Sequence, residues 1–232
     1  MSLVQRIQYL AVTVFVGCLL SFNAAQAASE QGPRELLVAV HDQIVEVLEK
    51  DKERLAQEPQ YLESKLREFV DPHVDFVAMG RLMLGGYWKE ASEEQRASFI
   101  QEFRSMLARI YGKSIALYDG QALVFEPYTP GKRKNLAVIR SRVEGSEDGV
   151  PIDFRLRHKD SDGWKIYDIS VDNISLVKNY KSSFRRDIQE LGMDGLLQKM
   201  ASMGQGGEDS PYESLSEAGD ADNDDQSDQD SD

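Results

Sequence analysis

Between residues 121 and 171 the hydrophobic pattern has a period of two, and this stretch does most to restrict the fold. Four strand-like runs, "ALVFEPY", "NLAVIRSRV", "VPIDFRLRH" and "WKIYDISV", are separated by the turn-forming text "TPGK", "EGSEDG" and "KDSDG". Alternation sends successive side chains to opposite faces, and short turns between consecutive strands favour antiparallel pairing. In the third run Ile152, Phe154 and Leu156 face one way while Asp153, Arg155 and Arg157 face the other. Strict alternation in the fourth puts Trp164 and Ile166 on one face and Tyr167, Ile169 and Val171 on the opposite one.

Both flanks change to a helical period. Leu37, Val40, Ile44, Val47, Leu48 and Leu55 recur at helical spacing after Pro33, and a shorter helix runs through Tyr61, Leu62, Leu66 and Phe69. In "ASEEQRASFIQEFRSMLARIYGKSIALY", Ser92 and Gln95 have the spacing of a capping box, and Phe99, Phe103, Met106, Leu107, Ile110 and Tyr111 form one apolar face. After the last strand, "SLVKNYKSSFRRDIQEL" and "MDGLLQKM" read as helices. The expected fold is α+β: N-terminal helices, a curved antiparallel sheet of about four strands, and C-terminal helices, with helices packed on one face of the sheet.

The two ends differ from this middle part. Residues 1–27 combine Arg6, the apolar run "IQYLAVTVFVGCLLSF" and Ala25-Gln26-Ala27, the pattern of a cleaved secretory signal peptide. Cys18 is the single cysteine and lies in that segment, so the part beyond it has neither disulfides nor thiol chemistry available. Residues 204–232 contain eleven acidic residues and no lysine or arginine, a composition expected to be disordered. Residues 28–203, with 26 basic and 29 acidic residues, form the expected folded domain. Its near-balanced charge does not suggest a nucleic-acid partner.

The stretch "VDPHVDFVAMGRLMLGGYW" spaces Asp71, His73 and Asp75 like metal ligands on a strand. Pro72 and the helical run that follows point instead to a loop, with Asp75 as helix N-cap and Gly85 just past the helix end. No metal site is expected, nor catalytic residues: the chain has three histidines and no nucleophile-elbow, zinc-protease or phosphate-loop motif. One enzymatic alternative exists, a pocket enzyme of the cone-shaped α+β type with Asp168 as a buried general base beside Tyr167.

Two blocks carry a resemblance. "VDFVAMGRLMLGGYWKEASEEQRASFIQEFRSMLARIYG" and "DGWKIYDISVDNISLVKNYKSSF" resemble the MlaC, or toluene-tolerance, family of periplasmic phospholipid-binding proteins, over roughly residues 35 to 202. The acidic tail is outside that pattern. The resemblance implies a periplasmic shuttle without catalytic residues or cofactor, holding phospholipid as cargo in an apolar pocket between sheet and helices. It implies exchange with an outer-membrane lipoprotein complex and an inner-membrane ABC transporter, which maintains outer-membrane lipid asymmetry. A diffusing shuttle is expected to be a monomer. The candidate lining residues are Leu82, Met83, Phe103, Leu107, Tyr111, Val138, Phe154, Leu156, Ile166, Tyr167, Ile169 and Tyr180. Arg140, Arg142, Arg155 and Arg157 are candidates for contact with phosphate or with an acidic partner.

Overall fold

The computed structural model describes residues 31–116, 120–144 and 149–204. The signal peptide and acidic tail expected from the sequence lie outside the described residues. From Pro33 onward the helices and strands belong to one compact unit.

Among the described residues, seven helices and five strands follow in the expected order. Helices α1 (Pro33–Lys50), α2 (Lys52–Gln57) and α3 (Pro59–Phe69) lead through a 3-10 turn (Asp71–His73) to α4 (Phe76–Leu84), α5 (Tyr87–Glu90) and α6 (Glu93–Ala116). Strands β1 (Leu123–Phe125), β2 (Leu136–Val143), β3 (Val150–Lys159), β4 (Gly163–Val171) and β5 (Ile174–Ser175) precede α7 (Leu176–Ser202). The sheet has the order β1-β2-β3-β4-β5, antiparallel throughout. Four strands match the sequence reading. The two-residue β5 is additional, and it exists because Asp172 and Asn173, with φ of 48° and 64°, close a tight hairpin. Asp and Asn are the non-glycine residues that tolerate this left-handed conformation best.

The helix ends follow their local chemistry. The Ser92 hydroxyl accepts from the Gln95 amide and the Gln95 side chain accepts from the Ser92 amide, both at 3.1 Å, so the capping box forms. Gly85, at φ 55°, stops α4, its amide still donating to the Arg81 carbonyl. Gly192 takes φ 73° and ψ 178°, a conformation open essentially to glycine alone, and kinks α7. The Lys199 ammonium spans the kink to the buried Asp187 carboxylate at 2.7 Å.

The apolar interior falls into three clusters. Helices α4, α6 and α7 enclose Phe76, Met79, Met83, Phe99, Phe103, Met106, Tyr180 and Phe184. A second cluster joins α1 to the sheet through Leu36, Leu37, Val40, Phe125, Ile139, Leu156 and Ile166. The third links α1, α2 and α3 through Leu48, Leu55 and Leu62. Val74, half-buried between α3 and α4, packs against both the first and the second cluster.

Candidate functional site

The apolar face of the sheet is assembled by strand register. Ala137 lies opposite Leu156 and Ile139 opposite Phe154, while Phe154 pairs with Ile169 and Leu156 with Ile166. Leu156 and Phe154 are two residues apart, yet their partners Ile166 and Ile169 are three apart. One extra residue, Tyr167, is therefore accommodated in β4 as a β-bulge. The bulge corrects the alternation expected from sequence: Trp164, Ile166 and Ile169 share one face and one cluster instead of dividing between two.

Helix α1 lies over this face and is fastened to its edge strand. The Arg34 guanidinium donates to the carbonyls of Glu126 at 3.1 Å and Phe125 at 3.2 Å, and the His41 ring meets Phe125 edge-on. Leu36, Leu37 and Val40 supply the contacts. Cover is uneven. Leu156, Ile139 and Ile166 are buried, whereas Phe154, Trp164 and Ile169 are only half-buried. The sheet thus offers an apolar surface that is tightly filled around Leu156 and less completely covered around Phe154 and Ile169.

The proposed lining residues separate into groups. Phe154, Leu156, Ile166 and Ile169 come together on the sheet face. Met83, Phe103 and Tyr180 are buried within the helical cluster, where the Phe103 ring stands edge-on to Tyr180 at 5.7 Å; Leu107 packs on the margin. Tyr111, half-buried, shares a hydrogen bond with Tyr180, and burial pushes its phenol above the ordinary value. Tyr167 occupies the bulge. Leu82 and Val138 are 45% and 40% exposed and belong to neither group, because Leu82 lies on the solvent side of α4 and Val138 alternates onto the charged sheet face. Leu36 and Leu37 were not among the candidates, although the helical spacing that includes Leu37 was visible.

The four candidate arginines all face away from the apolar surface, across the sheet. Arg157 Nε donates to Asp75 at 2.7 Å, Arg155 lies 3.6 Å from Asp168, and Arg142 donates to the Gly149 carbonyl at 3.3 Å. Arg140 is exposed and pairs in register with Asp153.

Both carboxylates with candidate chemistry serve helix starts. Asp168 Oδ2 accepts from the Ser175 hydroxyl at 2.7 Å and Oδ1 from the Val177 amide at 3.1 Å; Ser175 accepts in turn from Lys178. This buried pair caps α7. Asp75 Oδ1 accepts from the Ala78 amide at 3.0 Å, and Oδ2 takes Arg157 and, at 2.8 Å, Lys159. Burial opposes its ionisation, but Lys159, the Ala78 amide and Arg157 together hold the carboxyl below its usual value. Asp71 pairs with Arg104 at 3.5 Å, and burial, with Lys165 nearby, lowers the pKa of His73. Among the described residues no three His, Cys, Asp or Glu side chains gather as a metal site would require.

Several known proteins are similar to this chain. The profile described as "MlaC protein" matches residues 38–202. The intermembrane phospholipid transport system binding protein MlaC of Haemophilus influenzae is 26% identical over 204 residues, which cover 86% of this chain and 94% of that protein. The toluene tolerance protein ttg2D of Pseudomonas putida is 23% identical over 193 residues, 80% of this chain and 89% of its own. Among solved structures, the phospholipid-binding protein of Ralstonia solanacearum, in complex with a phospholipid, aligns with a TM-score of 0.69 at 24% identity. That alignment covers 76% of this chain and 97% of the other, and the likeness is one of fold.

Proposed function

This chain belongs to the MlaC family, and from that premise we propose that it is a periplasmic phospholipid carrier. It moves lipid between an outer-membrane lipoprotein complex and an inner-membrane ABC transporter and so maintains lipid asymmetry. The observation that supports this most is the apolar sheet face under α1, filled at Leu156 and half-covered at Phe154, Trp164 and Ile169. Apolar area is what such cargo demands. Two acyl chains of roughly thirty methylenes, at about 0.8 kcal/mol each, cost on the order of 20 kcal/mol to leave in water. A few hydrogen bonds at about 1 kcal/mol apiece could not offset that. The acyl chains lie against Phe154, Leu156, Ile166 and Ile169, and displacement of α1 from the sheet admits them. Release requires handing them to another apolar site, because release into water would meet the full exposure cost.

The test is native mass spectrometry of protein purified without detergent from a Gram-negative host, with organic extraction of what co-purifies. The expected result is a stoichiometric phospholipid. Ile169→Asp, which places a carboxylate on the less covered part of the face, should lose that lipid while circular dichroism stays that of the folded protein. A lipid-free mass for the unaltered protein, or full occupancy in a folded Ile169→Asp variant, would overturn the proposal.

A further inference from the structure

Two surface clefts meet at Gly85, away from the apolar sheet face, and together their linings carry five basic residues against one acid. One, of about 430 Å³, is lined by Arg81, Gly85, Trp88, Lys89 and Arg96. The other, of about 490 Å³, carries Lys181 and Arg185 of α7, with Glu90 as its single acid. Arg96 is engaged by the fold, donating to the carbonyls of Trp88 at 2.7 Å and Lys89 at 3.0 Å. Arg81, Lys89, Lys181 and Arg185 are exposed, and none of them makes an ion pair among the described residues. No Cβ stands over Gly85 or Gly86, so the ground between the two clefts is open. Four exposed cations without ion-pair partners among the described residues, against the one acid Glu90, leave the concave surface with an excess of positive charge that attracts a polyanion.

The chain carries one. Residues 205–232 hold eleven of its forty acidic residues and none of its twenty-seven lysines and arginines. The family match ends at residue 202, so this segment is a property of this chain rather than of the shared domain. It is also attached within reach. Gln189, which lines the second cleft, precedes Gly204 by fifteen residues, about 22 Å even along an unbroken helix. Twenty-eight residues span up to about 90 Å when extended. Attachment raises the local concentration of the acids to the millimolar range. We infer that the acidic segment 205–232 docks on its own domain, its carboxylates occupying the Arg81–Lys89 and Lys181–Arg185 clefts on either side of Gly85.

A second copy, or an external acidic partner, is the competing occupant, and zero-length carbodiimide cross-linking of the intact chain separates the cases. Lys89 and Lys181 should form amides with peptides from Glu208–Asp232 about tenfold more often than Lys50 or Lys132 does, because docking concentrates the carboxylates at these two lysines beyond what attachment gives every lysine in reach. Yield per chain should be independent of dilution. It should fall sharply in 1 M salt, where the screening length shrinks to about 3 Å. The double substitution Arg81→Glu, Arg185→Glu should reduce the links several-fold with the circular dichroism spectrum unchanged. Links spread evenly over surface lysines, links found only in a dimer band, or links indifferent to salt would each overturn the assignment. Bound lipid should be unaffected by removing 205–232, so failure here leaves the carrier proposal standing.

Discussion

Replacing Asp75 by alanine tests whether its spacing with Asp71 and His73 reflects packing or ligation. The carboxylate is 4% exposed, and its removal takes away three hydrogen bonds. Loss of a helix N-cap costs about 1 kcal/mol. The bonds to Arg157 and Lys159 are charge-assisted and would be worth roughly 1.5–3 kcal/mol each in a buried setting. Both cations are about one-third exposed and can turn to water, so their joint loss is discounted to about 2 kcal/mol. Asp75→Ala should therefore cost about 3 kcal/mol, a Tm drop of about 6–12 °C for a domain of this size. Asp75→Asn keeps an acceptor for the Ala78 amide and should lose about 2 kcal/mol. The measurement is urea denaturation followed by circular dichroism. Because the folded carboxyl titrates below its usual 3.8, the advantage of the unaltered protein over Asp75→Asn is complete above that pH. It disappears as pH falls through the lower, folded value. Loss below about 0.5 kcal/mol in Asp75→Ala, or an advantage that survives strong acid, would refute the cap-and-pair account. So would a stability that chelators reduce.

Two further substitutions probe other points of the fold. Asp168→Asn weakens the α7 cap and should cost about 1–2 kcal/mol, with bound lipid per chain unchanged by mass spectrometry; lost lipid would place Asp168 in the site instead. Gly192→Ala forces a side chain into the kink conformation and should cost about 1–3 kcal/mol of stability, seen as a lower urea midpoint, and an unchanged midpoint would contradict the strain assigned there.

Local chemistry was legible in the sequence. Asp75 and Ser92 announced helix starts by their position before apolar-periodic runs, and the four longer strands followed from alternation. The bulge at Tyr167 was not legible, since one accommodated residue leaves no mark in composition yet reverses the facing of everything after it. Assigning Met83, Phe103 and Tyr180 together with Phe154 and Ile166 assumed a single interior. Periodicity reports which side of a helix is buried, not which neighbour buries it. The basic clefts were invisible for a related reason: Arg81 and Lys89 reside on short helices, Lys181 and Arg185 on one almost a hundred residues later, and only the fold makes them neighbours.

The helical cluster and the sheet cluster share Val74 and no other described residue. Apart from Val74, the two are joined by polar ties, Asp75 to Arg157 and Asp168 to Val177, so the apolar interior narrows to one shared residue there. Volume taken up beneath α1 need not be transmitted into the stacked rings of Phe99 and Phe103 or the Phe184 ring edge-on to them, which can keep one packing through filling and emptying. For the carrier proposed above, that separation would bring durability: the surface under α1 could be disturbed at each loading while the part that keeps the chain folded is left at rest.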